Sequence, residues 1–329
     1  MHLSPEWAEY AKATPLPDLQ VPTTATEAQA IRGFMAQFED QMMATADNTG
    51  LSVRVVSIPT RDSHKLRALV YTPDGPGQYP VVLYMHGGGW VLGRPETDDK
   101  SVRGVCRKAK VLVVSLDYRL APENPWPTPV NDCVDGLKWV FENAPSIRGD
   151  VSRGVIVSGF SAGGHLAATL ALRALKRKVL IPIRGVVLRA PMLSDWRALS
   201  ASEASALKSL EENAHAPVIN TDSLKQMIAI YNVPGDRLRD PEEFPLHLSV
   251  EAAKGFPPTF IQVSQADPLR DEGLLFNQTL KNASVNTRLH YYEGMPHGFH
   301  MHNIPTATKA EEDLADGFEW ILDFGKPAC

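Results

Sequence analysis

The sequence predicts an α/β protein in which helices cover both faces of a mostly parallel sheet and a helical cap is added in two parts. Short apolar runs of strand length alternate with helical segments from about residue 81 onward, which is typical of buried parallel strands joined by helices. Residues 194–250 break this rhythm, because they contain helical and polar stretches with prolines but no strand-like run. At 329 residues the chain is long enough for one large α/β body with an insertion.

The first 50 residues predict helices rather than strands. A short helix is expected over Pro5–Ala13 and a longer one over Thr26–Thr45. The longer helix has an apolar stripe at helical spacing, made of Ile31, Phe34, Met35, Phe38 and Met42. We expect this stripe to pack on the body, although a lid over an apolar substrate would use the same pattern.

From Leu51 the pattern changes to strands, first two with mixed polarity and then buried ones. The predicted strands are Leu51–Ile58, Lys65–Tyr71, Val81–Met85, Val111–Leu116, Val155–Ser158, Val186–Leu188, Thr259–Val263 and Arg288–Tyr292. The predicted helices of this part are Val130–Asn143, Gly164–Lys176, Gly273–Ala283 and Thr308–Phe324. We therefore assign residues 1–50 and 194–250 to the cap, and residues 51–193 and 251–329 to the α/β body.

Composition indicates a globular protein without a nucleic-acid partner. The apolar and charged fractions, 43% and 22%, are ordinary, and the net charge of −5 is mild. Three cysteines are too few and too scattered for a disulfide framework or a metal site. We expect Cys106 and Cys133 to be reduced, buried small apolar residues. Prenylation is not expected at Cys329, since three residues would have to follow it.

No targeting or membrane segment is expected. The stretch from Met1 to Trp7 has neither the basic start nor the apolar run of a signal peptide. The longest apolar runs, such as Val111–Leu116, have the length of a strand and are too short to span a membrane. These features predict a cytoplasmic protein with no membrane partner. A small-molecule substrate and a homodimer are separate expectations, which these features do not test.

Ser161 is the predicted nucleophile. It lies in Gly159-Phe160-Ser161-Ala162-Gly163, after a predicted strand and before a predicted helix. A G-x-S-x-G pentapeptide alone is a weak signal, but in this context a sharp strand-to-helix turn exposes the serine hydroxyl at the top of a sheet. The amino end of the following helix also favours negative charge that develops there.

His297 is the predicted general base. A serine hydroxyl needs a base within hydrogen-bond reach, and His297 follows the last predicted strand by a short loop, at the edge where open α/β sheets place their sites. His300 and His302 are instead expected at a helix start or on the surface. A zinc site with H-x-x-H-x-H spacing is the alternative, but it lacks carboxylate or cysteine ligands and leaves the serine turn unexplained.

Asp267 is the predicted acid of the triad. It follows the strand Thr259–Val263, where a buried carboxylate would orient the imidazole and stabilise the imidazolium. Asp271 is the rival, but a place in the first turn of the next helix suits it better, since a negative charge is favourable there. The chain order Ser, Asp, His is that of an α/β-hydrolase site.

The glycines after the strand Val81–Met85 predict an oxyanion hole. Three consecutive glycines follow His86, so the chain can turn its amides inward without side-chain obstruction. We expect the amides of Gly88, Gly89 and Ala162 to be the donors. His86 is expected to brace the loop, and Trp90 either lines the substrate pocket or packs in the core.

At this point the chain resembles the hormone-sensitive-lipase-like family of α/β-hydrolase carboxylesterases. The matching stretches are HGGGW (86–90), DYRLAPE (117–123), GFSAGG (159–164), DPLRDEG (267–273) and PHGF (296–299). The resemblance covers the whole predicted catalytic body. It implies the α/β-hydrolase fold with a two-part helical cap, the same triad and the same oxyanion donors. It also implies short or medium acyl groups, with acetyl esters of secondary metabolites as one example.

Phe160 departs from the family's pattern. The family usually has an acidic residue directly before the serine, where it is thought to brace the site without belonging to the triad. A large apolar side chain at this position either reshapes the substrate pocket or is a neutral replacement. The triad itself is unaffected by the exchange.

These observations predict a serine carboxylesterase that needs no cofactor or metal and works through an acyl-enzyme. An amide, formamide or thioester hydrolase would use the same residues, and nothing in the sequence distinguishes the leaving groups. A non-catalytic receptor on the same fold is a third hypothesis, which the complete triad disfavours.

Overall fold

Strands and helices alternate along most of the chain, as the sequence predicts. The computed structural model describes residues 1–16, 19–176 and 181–324, so Cys329 lies outside the described residues. Its strands are β1 (Leu51–Pro59), β2 (Lys65–Pro73), β3 (Tyr79–Met85), β4 (Leu112–Leu116), β5 (Gly149–Asp150), β6 (Val155–Phe160), β7 (Ile183–Arg189), β8 (Thr259–Ala266) and β9 (Thr287–Pro296). Its α-helices are α1 (Pro5–Ala13), α2 (Ala25–Ala44), α3 (Asp99–Ala109), α4 (Thr128–Asn143), α5 (Ala162–Lys176), α6 (Ala201–Ala206), α7 (Ser209–Glu212), α8 (Thr221–Tyr231), α9 (Val250–Ala253), α10 (Arg270–Asn282) and α11 (Pro305–Asp323).

The strands form one sheet in the order β1-β2-β4-β3-β6-β7-β8-β9, with the short β5 paired to the start of β3. The strand β2 pairs antiparallel with both β1 and β4. The remaining pairs, from β4 through to β9, are parallel. The predicted α/β-hydrolase fold class, with its mostly parallel sheet, is therefore confirmed.

Helices cover both faces of the sheet, as alternation along β3 illustrates. Val81, Leu83 and Met85 belong to the core cluster that also contains apolar residues of α4, α5 and α10. Val82 and Tyr84 point to the opposite face, into a cluster with residues of α3 and α11. Because successive side chains of a strand face opposite ways, a strand covered on both sides is apolar throughout.

Helix α3 differs from the prediction, which placed no element between β3 and β4. Its sequence is rich in charge, and its buried apolar residues are few. They recur at helical spacing and are Val102, Val105, Cys106 and Ala109. Cys106 and Cys133 are buried free thiols, as predicted, and burial raises the pKa of Cys106 to about 12.

The expected packing of the α2 stripe is wrong for its three largest outward residues. Phe34, Phe38 and Met42 are 62%, 54% and 64% exposed. Ile31 of the stripe and Met43 do pack against the apolar clusters of the body, and polar contacts lie beside them. Arg32 donates to the carbonyl oxygens of Val91 and Ala121 and forms an ion pair with Glu123 at 3.0 Å. In this orientation Phe34, Phe38 and Met42 face solvent, while Ile31 packs on the body.

Residues 194–250 leave the body after β7 and return before β8, and they contain helices and turns but no strand. Glu272 of α10 fixes the start of this insertion. Its carboxylate accepts hydrogen bonds from the Leu193 amide, from the amide and hydroxyl of Ser194 (2.9 and 3.0 Å) and from the Trp196 indole (3.0 Å). Burial raises the pKa of Glu272 to about 7, while these donors act in the opposite direction.

None of the helices in the described ranges is both long enough and apolar enough to cross a bilayer.

Substitutions at two glycines test how closely α11 and α2 pack on the body. In α11, an ideal Cβ on Gly317 would lie 2.5 Å from the buried ring of Phe260, whereas Gly33 of α2 has no neighbouring atom within 4 Å. Alanine normally stabilises a helix interior relative to glycine by about 0.5–1 kcal/mol. We expect Gly33→Ala to raise the free energy of unfolding by that amount. Gly317→Ala is expected to lower it by about 1–3 kcal/mol through overpacking, as measured by urea denaturation. Equal stabilisation by both changes would contradict this packing of α11.

Candidate active site

Ser161 lies in a tight turn between β6 and α5. Its backbone is left-handed, with φ of +56°. The Ser161 amide donates to the Arg189 carbonyl oxygen of β7 at 2.9 Å, and its carbonyl oxygen accepts from the His165 amide at 3.0 Å. An ideal Cβ on Gly163 would lie 2.0 Å from the Met85 carbonyl oxygen, so only glycine lets α5 start this close to β3. The turn is thus fixed from both sides.

His297 lies between Ser161 and Asp267. Its Nε2 is 3.1 Å from the Ser161 Oγ, and its Nδ1 is 2.7 Å from the Asp267 Oδ2. A carboxylate only accepts hydrogen bonds, so Nδ1 carries the proton and Nε2 accepts from the serine hydroxyl. All three side chains are buried, and Ser161 is 3% exposed. The structure therefore brings the three predicted triad residues together in one chain of hydrogen bonds.

The pairing of β8 with β9 explains why Asp267 and His297 meet. The last paired residues of these parallel strands are Ala266 and Pro296, so the next residue of each strand leaves the same edge of the sheet. The strand β9 continues to Pro296, whereas the sequence predicts a loop before His297. The Asp267 Oδ1 also accepts from the Leu269 amide at 2.8 Å. This bond holds the carboxylate in the orientation that His297 requires.

Residues of the insertion hold the Asp267 loop, and the sequence analysis did not identify them. The Asn213 side-chain amide donates to the carbonyl oxygens of Gln265 and Asp267 at 2.9 and 3.0 Å. Ser209 donates its hydroxyl to Pro268 and its amide to Asp271, at 2.8 and 2.7 Å. Single asparagines and serines in a polar stretch carry no periodic or motif signal, so only the structure reveals these contacts.

Asp271, His300 and His302, the alternatives to the predicted acid and base, lie outside the hydrogen-bond chain of Ser161, His297 and Asp267. Asp271 lies in the first turn of α10, as predicted. His300 is buried in a single helical turn, not on the surface, and burial lowers its pKa well below the ordinary value. His302 packs its ring edgewise against Trp7 of α1, with 5.1 Å between ring centroids. Within the described residues no three histidine, cysteine or acidic side chains are grouped as metal ligands would be.

The glycine loop after β3 has the conformation expected of an oxyanion loop. Gly88 has φ of +118°, and an ideal Cβ there would lie 2.2 Å from the Leu92 carbonyl oxygen, so no other residue fits. Among the described residues, no acceptor pairs with the backbone amides of Gly88, Gly89 or Ala162. These amides are therefore available to an oxygen atom from outside the chain.

Side chains behind the loop hold it in place. His86 is buried, its Nδ1 lies 2.8 Å from the Gly87 carbonyl oxygen, and its ring stacks on Tyr118 at 4.2 Å. Burial lowers the pKa of His86, so the ring is neutral at physiological pH. The Asp98 carboxylate accepts from the Gly87 amide at 3.2 Å, and burial raises the pKa of Asp98 to about 6. The predicted bracing role of His86 agrees with these contacts.

Trp90 is fully buried and makes packing contacts. Its ring stacks on Tyr231 of α8 with 4.3 Å between centroids, and its indole donates to the His165 Nδ1 at 3.2 Å. The His165 Nε2 in turn lies 2.6 Å from the Glu243 carbonyl oxygen, and burial lowers the pKa of His165 to about 4. Of the two roles predicted for Trp90, this geometry favours packing in the core.

Phe160 and two residues of the insertion lie close to the glycine loop and to His297. The Phe160 ring is 6% exposed and stacks on the imidazole of His297 at 4.8 Å. Met227 of α8 packs on the glycine loop, because an ideal Cβ on Gly89 would lie 2.0 Å from its sulfur. Val218 lies beside the loop after His297, 3.6 Å from an ideal Cβ on Gly298. Apolar side chains of the insertion therefore lie next to both the oxyanion loop and the base.

Known proteins match this fold and this chain closely. The α/β hydrolase fold family matches residues 82–301. The versiconal hemiacetal acetate esterase of Dothistroma septosporum is 33% identical over 279 residues, 83% of this chain and 83% of that protein. The carboxylesterase NlhH of Mycobacterium tuberculosis is 39% identical over 222 residues, 67% of this chain and 66% of that protein.

Solved structures show the same relationship. The crystal structure of vibralactone cyclase superposes with a TM-score of 0.85 at 31% identity, over 97% of this chain and 95% of that one. The resemblance that the sequence motifs indicate is confirmed by these matches. The chain belongs to the α/β hydrolase fold family, in its hormone-sensitive-lipase-like branch.

Proposed function

We propose that this protein is a serine carboxylesterase in which Ser161 is the nucleophile, His297 the general base and Asp267 the residue that orients the base. The observation that carries the proposal is the continuous hydrogen-bond chain from the Ser161 hydroxyl through His297 to Asp267, with donor–acceptor distances of 3.1 and 2.7 Å. This chain has the connectivity of a Ser-His-Asp triad. The esterase names of the relatives support the same activity.

The reaction proceeds in two acyl transfers. The Ser161 Oγ attacks the ester carbonyl carbon while its proton passes to the His297 Nε2. The tetrahedral intermediate then collapses, and the alcohol leaves with the proton from Nε2. A water molecule repeats the sequence on the acyl-enzyme: it gives a proton to His297, and the Ser161 Oγ leaves with that proton as the acid is released. None of these steps uses a cofactor or metal.

The amides of Gly88, Gly89 and Ala162 stabilise the negative oxygen of both tetrahedral intermediates in this proposal. Their lack of partners in the described part of the chain supports the assignment. Fixed donors are most effective in a site that excludes water, and the burial of Ser161 meets that condition. The Asp267 carboxylate stabilises the imidazolium that forms on His297 during each transfer.

We also propose that residues 1–50 and 194–250 form a two-part cap that limits the size of the acyl group. Two contacts of the insertion support this, because Met227 packs on Gly89 of the oxyanion loop and Val218 lies beside Gly298. Val218 also packs against the apolar cluster that contains Trp7 of α1, so both proposed cap segments contribute side chains to this cluster. An acetate ester in the name of one relative suggests a short acyl group.

Replacement of Ser161 by alanine tests the nucleophile. We expect Ser161→Ala to lower kcat on p-nitrophenyl acetate by at least about 10⁴-fold, because loss of the triad nucleophile removes the acyl-enzyme route. Ser115→Ala is the matched control, since Ser115 is equally buried in β4 and its hydroxyl has no partner in the described residues. Undiminished activity of Ser161→Ala would refute the assignment.

The acyl-chain preference tests whether the proposed cap limits the size of the acyl group. For p-nitrophenyl esters from acetyl to decanoyl, we expect kcat/KM to be highest for acetyl to butyryl and to fall for longer chains. We also expect an ester to be cleaved faster than the matched anilide, with a thioester as the third comparison. A decanoyl optimum would contradict the proposed short acyl site, and a faster anilide would favour an amide hydrolase.

Met227 tests whether the insertion sets this preference. We expect Met227→Ala to raise kcat/KM for octanoyl relative to acetyl by about 3- to 10-fold, because it opens space beside Gly89. Leu314→Ala serves as the control, since Leu314 is a similarly buried apolar residue of α11, in the cluster on the other face of the sheet and outside both proposed cap segments. The proposal for the cap predicts an unchanged ratio in the control, and an unchanged ratio in Met227→Ala would be evidence against it.

A further inference from the structure

The ring of Phe160 covers one face of the His297 imidazole. The ring centroids are 4.8 Å apart and the planes are inclined by 27°. The two nitrogen atoms of the imidazole are already bound in its plane, Nδ1 by Asp267 and Nε2 by Ser161. In-plane hydrogen bonds leave the ring free to tilt, since a tilt changes those two distances little. The contact with Phe160 opposes this tilt, because it blocks one face of the imidazole ring.

A second side of the Phe160 ring packs against Gly87, the first glycine of the loop after β3. An ideal Cβ on Gly87 would lie 2.5, 3.0 and 3.4 Å from the Cδ1, Cε1 and Cγ atoms of Phe160, and these are its three nearest heavy atoms. The Gly87 backbone cannot yield easily, because its amide donates to Asp98 and its carbonyl oxygen contacts His86. Phe160 therefore fills the space between the start of the oxyanion loop and the base.

The Phe160 ring makes a third contact, with His300. The imidazole of His300, from the turn after β9, meets Phe160 edgewise with 4.7 Å between centroids. Two titratable groups lie beside His297, namely Asp267 from the loop after β8 and His300. Arg189 of β7, His302 and Lys100 of α3 act on His300 electrostatically. Burial keeps His300 neutral, so Asp267 supplies the negative charge that faces the base.

We propose that Phe160 is a positioning residue, which holds the His297 imidazole in the plane of its two hydrogen bonds and in register with the oxyanion loop. The inference rests on the proposed esterase function. An aromatic face is also negative, so it stabilises the imidazolium that forms when Ser161 gives up its proton. An aliphatic side chain of similar size supplies the packing but not this electrostatic contribution.

A double-mutant cycle between Gly87 and Phe160 tests the positioning. We expect Gly87→Ala to lower kcat about 10-fold with little change in KM, because the new methyl group pushes the ring onto the imidazole. In the Phe160→Ala background the same change has no ring to displace, and we expect it to cost less than about 2-fold. An equal loss in both backgrounds would overturn the proposal, since Gly87 would then act independently of Phe160.

The pH profile of Phe160→Leu tests the electrostatic part. We expect the acidic limb of kcat/KM to move down by about half a pH unit, because the imidazolium loses a favourable aromatic face. Phe276→Leu is the matched control, since Phe276 is an equally buried phenylalanine of α10 that packs on Phe256. The acidic limb of kcat/KM for Phe276→Leu is expected at the same pH as in the wild type. An unmoved limb in Phe160→Leu would overturn the electrostatic role.

Two further measurements separate the possible failures. Thermal unfolding of each variant identifies loss of activity through loss of folding, and kinetics are compared only between folded variants. Wild-type protein without activity on any p-nitrophenyl ester would refute the esterase function itself. An active wild type with an additive cycle would refute the role of Phe160 alone.

Discussion

The left-handed backbone of Ser161 is the constraint on which the site depends. A residue with a side chain in this conformation is uncommon and is retained only where its surroundings enforce it. Here β7 binds the Ser161 amide, α5 binds its carbonyl oxygen, and Gly163 brings the helix against the end of β3. The same three contacts place the serine hydroxyl at the sheet edge and the first amide of α5 beside the oxyanion loop. The proposed nucleophile and the proposed oxyanion donor Ala162 therefore share one structural origin.

The order of strands in the sheet provides the other parts of the site. Asp267 and His297 leave the ends of adjacent parallel strands, and Ser161 leaves the end of β6, two strands away from β8. Parallel strands end at the same edge, so residues far apart in sequence meet without any long connection. The insertion then contributes hydrogen bonds from Asn213 and Ser209 to the loop that contains Asp267. In the proposed function the body supplies the chemistry, and the insertion restricts access and supports Asp267.

The sequence predicted the strands and the Ser161 motif better than the helices and their packing, for physical reasons. Buried parallel strands are continuous apolar runs, and the Ser161 motif, its glycines and the chain order of the triad leave direct signals. Helix α3 was missed because only four apolar residues carry its stripe. The stripe of α2 was seen, but the exposure of Phe34, Phe38 and Met42 depends on how α2 docks, which includes contacts of Arg32 with partners far away in sequence. The contacts of Phe160 with Gly87 and His297 are likewise tertiary, so the sequence marked the residue without revealing its neighbours.

The most direct test of the account is the site of covalent labelling by a fluorophosphonate, which reacts with an activated serine and mimics the first acyl transfer. The account predicts one label per chain on the peptide that contains Ser161, with loss of esterase activity in proportion to labelling. Mass spectrometry of the digested protein gives both the stoichiometry and the position. Complete labelling at a different residue, or full esterase activity that persists without any label on Ser161, would contradict the central role of this serine.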